Sequence, residues 1–475
     1  MEDEVEMSDL EDSRANYPLG GARRVQESRV VLALSLLSGV LLLVVVCLSA
    51  AVWSLSAERE PVAAPTAVQP STDVATIFPS QKDTTLSACN NNGALYFGYS
   101  QCKCFQCYQG ETCSVFNPKD CVMDANSGTP FLWEQYWVEH PEAEVRIKPS
   151  IHLGYMVLPL PELEIVLKEL HALVGNAVTT DRYLVISGGS TALINSAVYG
   201  LGPDDGNATT QVWAHTPYYG QYREFPRVWN SKKVQWVGDG AHPTPRPDAP
   251  VVELLASPNN PDGRMQSKRI PGSRALIDGA YYWPHFTPIT HAMDPPKEDM
   301  VIFTLSKLTG HASTRFGWAW VKDKATADKL RMFNAMWSIG GASIDAQVKT
   351  IKILRHLIDT RGGPIKYAAQ RMRARWDALN EVFTGSTRFK LQEFDPPAQC
   401  SFFKTVRKPS PAYAWIQCLR PEDYPCKQTM VRAGISGRDG WTGFGASSAF
   451  VRLQLLMRDR DFETMLNKLK PLLQD

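Results

Sequence analysis

The chain has 475 residues, 44% hydrophobic and 21% charged, with a formal net charge of +1. That is too long for one ordinary core, so two or more domains are expected, and the composition is that of a globular protein. The near-neutral balance gives no support for nucleic-acid binding, while 13 tryptophans and 16 tyrosines suit large aromatic pockets or cores.

Residues 1–29 are polar, with seven acids between Glu2 and Asp12 followed by Arg14, Arg23, Arg24 and Arg29. They hold too few apolar residues to fold alone and read as a cytosolic tail. No residue from Val30 to Ala57 is charged, and Val31–Val52 is almost wholly apolar, long enough to span a bilayer. Residues 30–55 therefore read as a retained single-pass membrane anchor, with a cleaved signal peptide as the alternative. Arginines on the N-terminal flank place the N-terminus in the cytosol and the rest in the lumen of the endoplasmic reticulum or secretory pathway. Residues 56–86, rich in Pro, Ala, Ser and Thr, read as a flexible tether.

Six of the ten cysteines follow: Cys89, Cys102, Cys104, Cys107, Cys113 and Cys121. Their even count and density read as a small disulfide module over residues 87–123, in an oxidising compartment. Zinc is the alternative, since Cys104 and Cys107 form C-x-x-C. The single-residue gap Cys102-Lys-Cys104, the missing histidines and the upstream anchor weigh against it, and no metal set is expected. Cys418 and Cys426 could form one more bridge, and Cys400 has no obvious partner. Asn207-Ala-Thr209 is a glycosylation sequon, usable only in the lumen.

Beyond the module, helical and strand patterns alternate. Leu160–Val174 has helical spacing, Tyr183–Ser187 reads as a buried strand and Thr191–Tyr199 as a helix. Gln211–Ala214, Val251–Ala256, Ala275–Asp278 and Met300–Leu305 read as further strands. This predicts an α/β structure with a mostly parallel sheet. Helices at Gln347–Asp359 and Asp461–Leu473, with strands near Ser401–Val406, Ala412–Gln417 and Phe450–Leu455, suit a smaller α+β lobe. The catalytic part is expected over 124–475, with a large lobe at about 181–384 and a small lobe from 124–180 and 385–475.

Chemistry concentrates around Phe303-Thr-Leu-Ser-Lys-Leu-Thr-Gly-His-Ala-Ser-Thr-Arg-Phe-Gly-Trp318. Lys307 lies among hydroxyls, with Arg315 eight residues on. That suits a lysine that forms a Schiff base with an aldehyde cofactor, its phosphate held by hydroxyls and a guanidinium. Asp278 closes a predicted strand, where its carboxylate could keep a pyridine nitrogen protonated. Tyr281 and Asn260, in Ser257-Pro-Asn-Asn-Pro-Asp-Gly263, could reach the phenolic oxygen. Ser187-Gly-Gly-Ser-Thr191 offers a helix start for phosphate, and Pro217-Tyr-Tyr219 an aromatic ring for stacking. Arg452 is a charge inside the apolar alternation Phe450–Leu455, costly unless paired, and a substrate carboxylate would pair with it. Each feature alone also fits a structural role: a solvated strand end, an ordinary turn, an N-cap, a core aromatic or a salt bridge.

Taken in order, these motifs resemble the plant alliinase and tryptophan aminotransferase-related family from about residue 87 to the end. The cysteine module resembles the EGF-like domain that precedes alliinase catalytic parts. The resemblance implies a fold-type I pyridoxal phosphate-dependent enzyme, usually a homodimer. It implies Lys307 as the Schiff-base lysine, Asp278 as the pyridinium partner, and Tyr281 and Asn260 on the phenolic oxygen. Tyr219, or else Tyr218, would stack on the ring, while Ser190, Thr191, Thr304 and Arg315 hold phosphate. Tyr155 would reach the neighbouring subunit's phosphate, and Arg452, with Gly128 nearby, would bind the substrate carboxylate. The implied disulfides are Cys89–Cys102, Cys104–Cys113, Cys107–Cys121 and Cys418–Cys426. Where the alliinase pattern reads Ser-Gly-Asp-Gly, this chain has Ser127-Gly-Thr-Pro130. The expected activity is transamination of an aromatic L-amino acid such as tryptophan with a 2-oxo acid. Alliin-type carbon–sulfur lysis and a cofactor-free binding protein on the same fold are the alternatives.

Overall fold

Val251-Val-Glu-Leu-Leu-Ala256 is apolar on both faces except at Glu253, the pattern of a strand covered on both sides. In the computed structural model of the chain all six residues are buried. Glu253 is accommodated because its carboxylate accepts from the Arg269 and Ile270 amides and the Ser273 hydroxyl. The structure describes residues 89–90, 92–95, 102–148, 150, 159–203, 208–238, 245–246, 249–294, 299–338 and 341–473. The predicted tail, anchor and tether lie outside the described residues, as do Tyr155 and Asn207.

The strand belongs to a seven-stranded sheet in the order β1-β7-β6-β5-β4-β2-β3. Its members are β1 (Tyr183–Ser187), β2 (Thr210–Trp213), β3 (Val234–Trp236), β4 (Val251–Ala256), β5 (Arg274–Asp278), β6 (Met300–Thr304) and β7 (Gly317–Val321). Neighbours are parallel except that β7 runs against both β6 and β1. The mostly parallel expectation therefore holds, with β7 as a strand the sequence reading did not separate from the Lys307 segment. Trp318 and Trp320 of β7 are fully buried, and each contributes roughly 3 kcal/mol or more of apolar burial. Fold-type I geometry follows from this sheet and the helices around it.

Five helices matter below: α1 (Glu134–Glu139), α2 (Pro161–Val174), α3 (Ser190–Gly200), α4 (Ile344–Asp359) and the long α5 (Gly363–Phe383). A second sheet, ordered β8-β9-β11-β10, is antiparallel throughout: β8 (Phe389–Leu391), β9 (Tyr413–Cys418), β10 (Arg438–Asp439) and β11 (Phe450–Gln454). The expected strand Ser401–Val406 is not one. Ala398–Cys400 and Thr405–Arg407 pair as a hairpin whose turn is residues 401–404. Phe402 and Phe403 misled the reading because both pack from that turn onto the core, and Lys404 takes a positive φ of 57° that ends strand geometry.

The cysteine module is closed by Cys89–Cys102, Cys104–Cys113 and Cys107–Cys121, and the small lobe by Cys418–Cys426. These are the implied pairs, and they rule out zinc on those sulfurs. Arg458 stacks over Phe105 of the module and Phe131 beyond it, at 3.6 and 3.8 Å, while its Nη2 donates to Glu134 at 2.8 Å. The module is thereby docked on the small lobe. Cys400 is a buried free thiol.

Candidate active site

Several strands of the large sheet end in polar residues on the side where open α/β sheets hold ligands. Asp278 is the last residue of β5. Thr304 ends β6, and its Oγ1 accepts from the Ser306 amide, capping the one-turn helix Leu305–Leu308 that carries Lys307. Asn260 lies just beyond β4, and Ser190 and Thr191 open α3. These side chains meet Gly128, Tyr219, Tyr281, Arg315 and Arg452 in one cavity of about 290 Å³. Each predicted cofactor or substrate residue among the described residues lines it; Tyr155 lies outside them. Tyr218 does not line it: it is buried against Trp236, 4.9 Å between rings, so Tyr219 is the aromatic facing the cavity.

Asp278 is 6% exposed and accepts from the Tyr222 hydroxyl and the Ala280 amide, both at 3.0 Å. Burial raises its pKa to about 6, although both hydrogen bonds pull it down. A carboxylate held so deep calls for a cation beside it. Arg452 is the complementary case, 2% exposed. Its Nη1 donates to Asn260 Oδ1 at 2.9 Å and its Nη2 to Asn126 O at 2.7 Å, while Nε has no partner. Its guanidinium lies 3.9 Å from the Tyr413 ring centroid, and among the described residues no carboxylate pairs with it. A carboxylate ligand would complete this site.

The third charge is Arg315, in the left-handed region at φ 52°. Gly189, at φ +103°, opens α3, and a Cβ there would lie 2.7 Å from Arg315 Nη2. Only glycine lets the guanidinium and the helix-start amides face one space, a cradle for phosphate. Lys307 Nζ donates to Gly128 O. Burial lowers its pKa; Tyr413 opposes this, and Arg452 and Arg315 add to it. A Cβ on Gly128 would lie 2.5 Å from Tyr413 Oη and 3.1 Å from Lys307 Nζ, so that wall must be bare. An amine of lowered pKa, a buried acid awaiting a cation and a cationic cradle together fit pyridoxal phosphate.

Four residues escaped the sequence reading. Tyr222 holds Asp278 and packs edge-on to Tyr219 at 5.6 Å; its three-residue spacing from Tyr219 was the available signal. Tyr413 Oη lies 2.6 Å from Tyr281 Oη. Arg438 lines the cavity and donates to Asn126 Oδ1 at 2.9 Å. His285 Nε2 donates to Lys307 O at 3.0 Å, which fixes the lysine's backbone. Tyr413 and Arg438 reach the cavity only through strand pairing: register sets Arg452 opposite Trp415 and Arg438, and Tyr413 opposite Gln454. No spacing in the chain announces that pairing.

Two outcomes follow from this geometry. Tyr413→Phe lowers kcat about 10-fold with little change in KM, because one hydrogen bond beside Lys307 is lost; steady-state kinetics checks it. Asp278 also affects stability. Its folded pKa lies above the unfolded value, so its contribution is full below about pH 4 and lost as pH rises through about 6. The difference in unfolding free energy between the cofactor-free protein and Asp278→Asn should change by about 3 kcal/mol across that window, read by urea denaturation at each pH.

A family model described as Allinase matches residues 123–473. Tryptophan aminotransferase-related protein 3 of Arabidopsis thaliana is 36% identical over 403 residues, covering 81% of this chain and 87% of that protein. Alliin lyase 1 of Allium sativum is 35% identical over 403 residues, covering 81% of each. Among solved structures, an aminotransferase from Staphylococcus aureus superposes with a TM-score of 0.55 at 16% identity, over 74% of this chain and 94% of that one. Thermus thermophilus aspartate aminotransferase with maleate gives 0.53 at 16%, over 74% and 92%. These two show the fold.

Proposed function

The chain belongs to the alliinase family and is a pyridoxal phosphate-dependent enzyme, a transaminase or carbon–sulfur lyase; from that premise we propose that it transfers the amino group of an aromatic L-amino acid such as tryptophan to a 2-oxo acid. The observation that carries this reading is the wall around Arg452. Its guanidinium is buried without a carboxylate among the described residues, and the Tyr413 ring 3.9 Å away lines the same cavity, so the α-carboxylate has a charge partner and an aromatic side chain has a ring to pack on. Arg438 adds a second guanidinium on the same wall.

Bound pyridoxal phosphate supplies an electron sink that acidifies the α-hydrogen of the substrate. Ser190, Thr191 and Arg315 would hold its phosphate, Asp278 would pair with its ring nitrogen, and Tyr219 would pack on its ring. Arg452 fixes the substrate carboxylate and so orients the α-hydrogen toward Lys307. Lys307 Nζ, neutral more readily because burial lowers its pKa, takes that proton. Gly128 O, which accepts from the amine, holds it in place. The two reactions diverge only after this proton transfer. Transamination yields the 2-oxo acid of the substrate, and lysis expels the β-substituent.

Lysis of S-alkyl-L-cysteine sulfoxides is the second reading, favoured by the disulfide module ahead of the catalytic lobes. Against it stands Thr129, which lines the cavity where the alliinase pattern has aspartate. Incubation with tryptophan plus pyruvate, and separately with an S-alkyl cysteine sulfoxide, distinguishes them. Indole-3-pyruvate from the first and no pyruvate release from the second is the expected result; the reverse rejects transamination.

The same proposal places the lobes in the secretory lumen behind an anchor at residues 30–55, since four disulfides suit an oxidising compartment. It includes glycosylation at Asn207 and a homodimer in which Tyr155 reaches the neighbouring phosphate. Protease protection of the disulfide module in sealed membranes is expected; digestion from the cytosolic side overturns the topology.

A further inference from the structure

Away from the cavity, two histidines and a carboxylate from distant parts of the chain converge. His140 follows α1, Glu142 lies in the turn Pro141–Ala143, and His356 is in the last turn of α4. One ligand-type atom from each lies within 4.8 Å of the others. One nitrogen of each imidazole faces Tyr136. His140 Nδ1 is 2.7 Å from Tyr136 O. A carbonyl only accepts, so Nδ1 carries the hydrogen and Nε2 keeps its lone pair. His356 Nε2 is 2.9 Å from the Tyr136 hydroxyl. His356 Nδ1, its other nitrogen, lies 3.7 Å from Glu142 Oε1.

His356 is 8% exposed, so its ring is held in place by packing. We propose that His140 Nε2, His356 Nδ1 and the Glu142 carboxylate bind one divalent transition-metal ion. Two imidazoles, one carboxylate and a water in the fourth position suit Zn²⁺. The backing of each imidazole by a carbonyl or hydroxyl is the arrangement that orients metal-ligating histidines. Tetrahedral Zn²⁺ asks for roughly 3.4 Å between ligand atoms, close to the 3.7 Å between Glu142 Oε1 and His356 Nδ1. A cavity of about 360 Å³ beside Glu142 and His356 gives access. Of the cations bordering it, Arg355 is engaged by Glu169 and Glu162.

The ion clips α1 to α4. From α1, Trp137 Nε1 donates to Thr309 O at 2.8 Å and its ring meets His311 at 4.8 Å. Both partners lie within four residues of Lys307, so the clip steadies the wall behind that lysine. No metal set is expected from the sequence, which weighs only the cysteine module; Glu142 and His356 are more than two hundred residues apart, so no spacing joins them.

The test is calorimetric titration of the cofactor-loaded full chain with Zn²⁺, with metal content after dialysis and melting temperature with and without a chelator. The expected result is one Zn²⁺ per chain. Affinity falls by about 100-fold or more in His140→Gln and Glu142→Gln, and by about 10-fold in Tyr136→Phe. Zn²⁺ raises the melting temperature of the wild type but not of His140→Gln or Glu142→Gln. Glu142 is on the surface, so Glu142→Gln keeps the fold and its loss of binding reports the ligand itself. No retained Zn²⁺, or unchanged affinity in both His140→Gln and Glu142→Gln, overturns the proposal.

Discussion

Lys307→Ala loses turnover by about 10⁴-fold or more and loses the visible absorbance of the lysine-bound cofactor. Lys307 Nζ lies in the cavity with Arg315 toward the phosphate cradle and Tyr413 and Arg452 toward the substrate. Alanine therefore removes both the covalent tether and the base that takes the α-proton. The fold should survive, because the helix Leu305–Leu308 is set by the Thr304 cap and the buried Leu305 and Leu308. A second lysine cannot substitute, since Lys307 is the lysine on the cavity wall among the described residues. Retained absorbance with lost turnover would assign Lys307 to proton transfer alone. Absorbance scans and stopped-flow turnover separate these outcomes.

Arg452→Met is expected to lower kcat/KM for the amino acid by about 10²- to 10³-fold, the cost of removing one partner from a buried charged contact. Most of the loss falls on KM. Arg452→Lys recovers little, because an ammonium cannot reproduce the planar two-point contact with a carboxylate. The methionine variant should fold, since Arg452 has no carboxylate partner among the described residues to be left unpaired and lies between the Tyr413 and Phe444 rings. Its melting temperature is the control. A KM unchanged in both variants would remove Arg452 from the substrate site.

What could be read from the chain follows a physical pattern. Lys307, Asp278, Asn260 and Ser190 sit just past strands of the main sheet, so hydrophobic run plus polar terminus located them without knowledge of pairing. Arg452 was visible because a charge inside a strand pattern has to be paired. Tyr413, Arg438 and His285 were not visible. Each reaches the site through contacts more than a hundred residues away or through a backbone carbonyl. The turn at 401–404 was misread because Phe402 and Phe403 are apolar for tertiary packing, not for strand alternation. His356 shows the same limit: as part of α4 it looks like any helix-terminal histidine, and only its packing on Tyr136 and Glu142 gives it a chemistry.

The most direct test of the cofactor assignment is peptide mapping. The purified holoenzyme is reduced with borohydride to fix the cofactor on its lysine, digested, and read by mass spectrometry. The predicted result is a pyridoxyl adduct on the peptide carrying Lys307 and on no other. An adduct on a different lysine, or none in fully cofactor-supplemented protein, would contradict it.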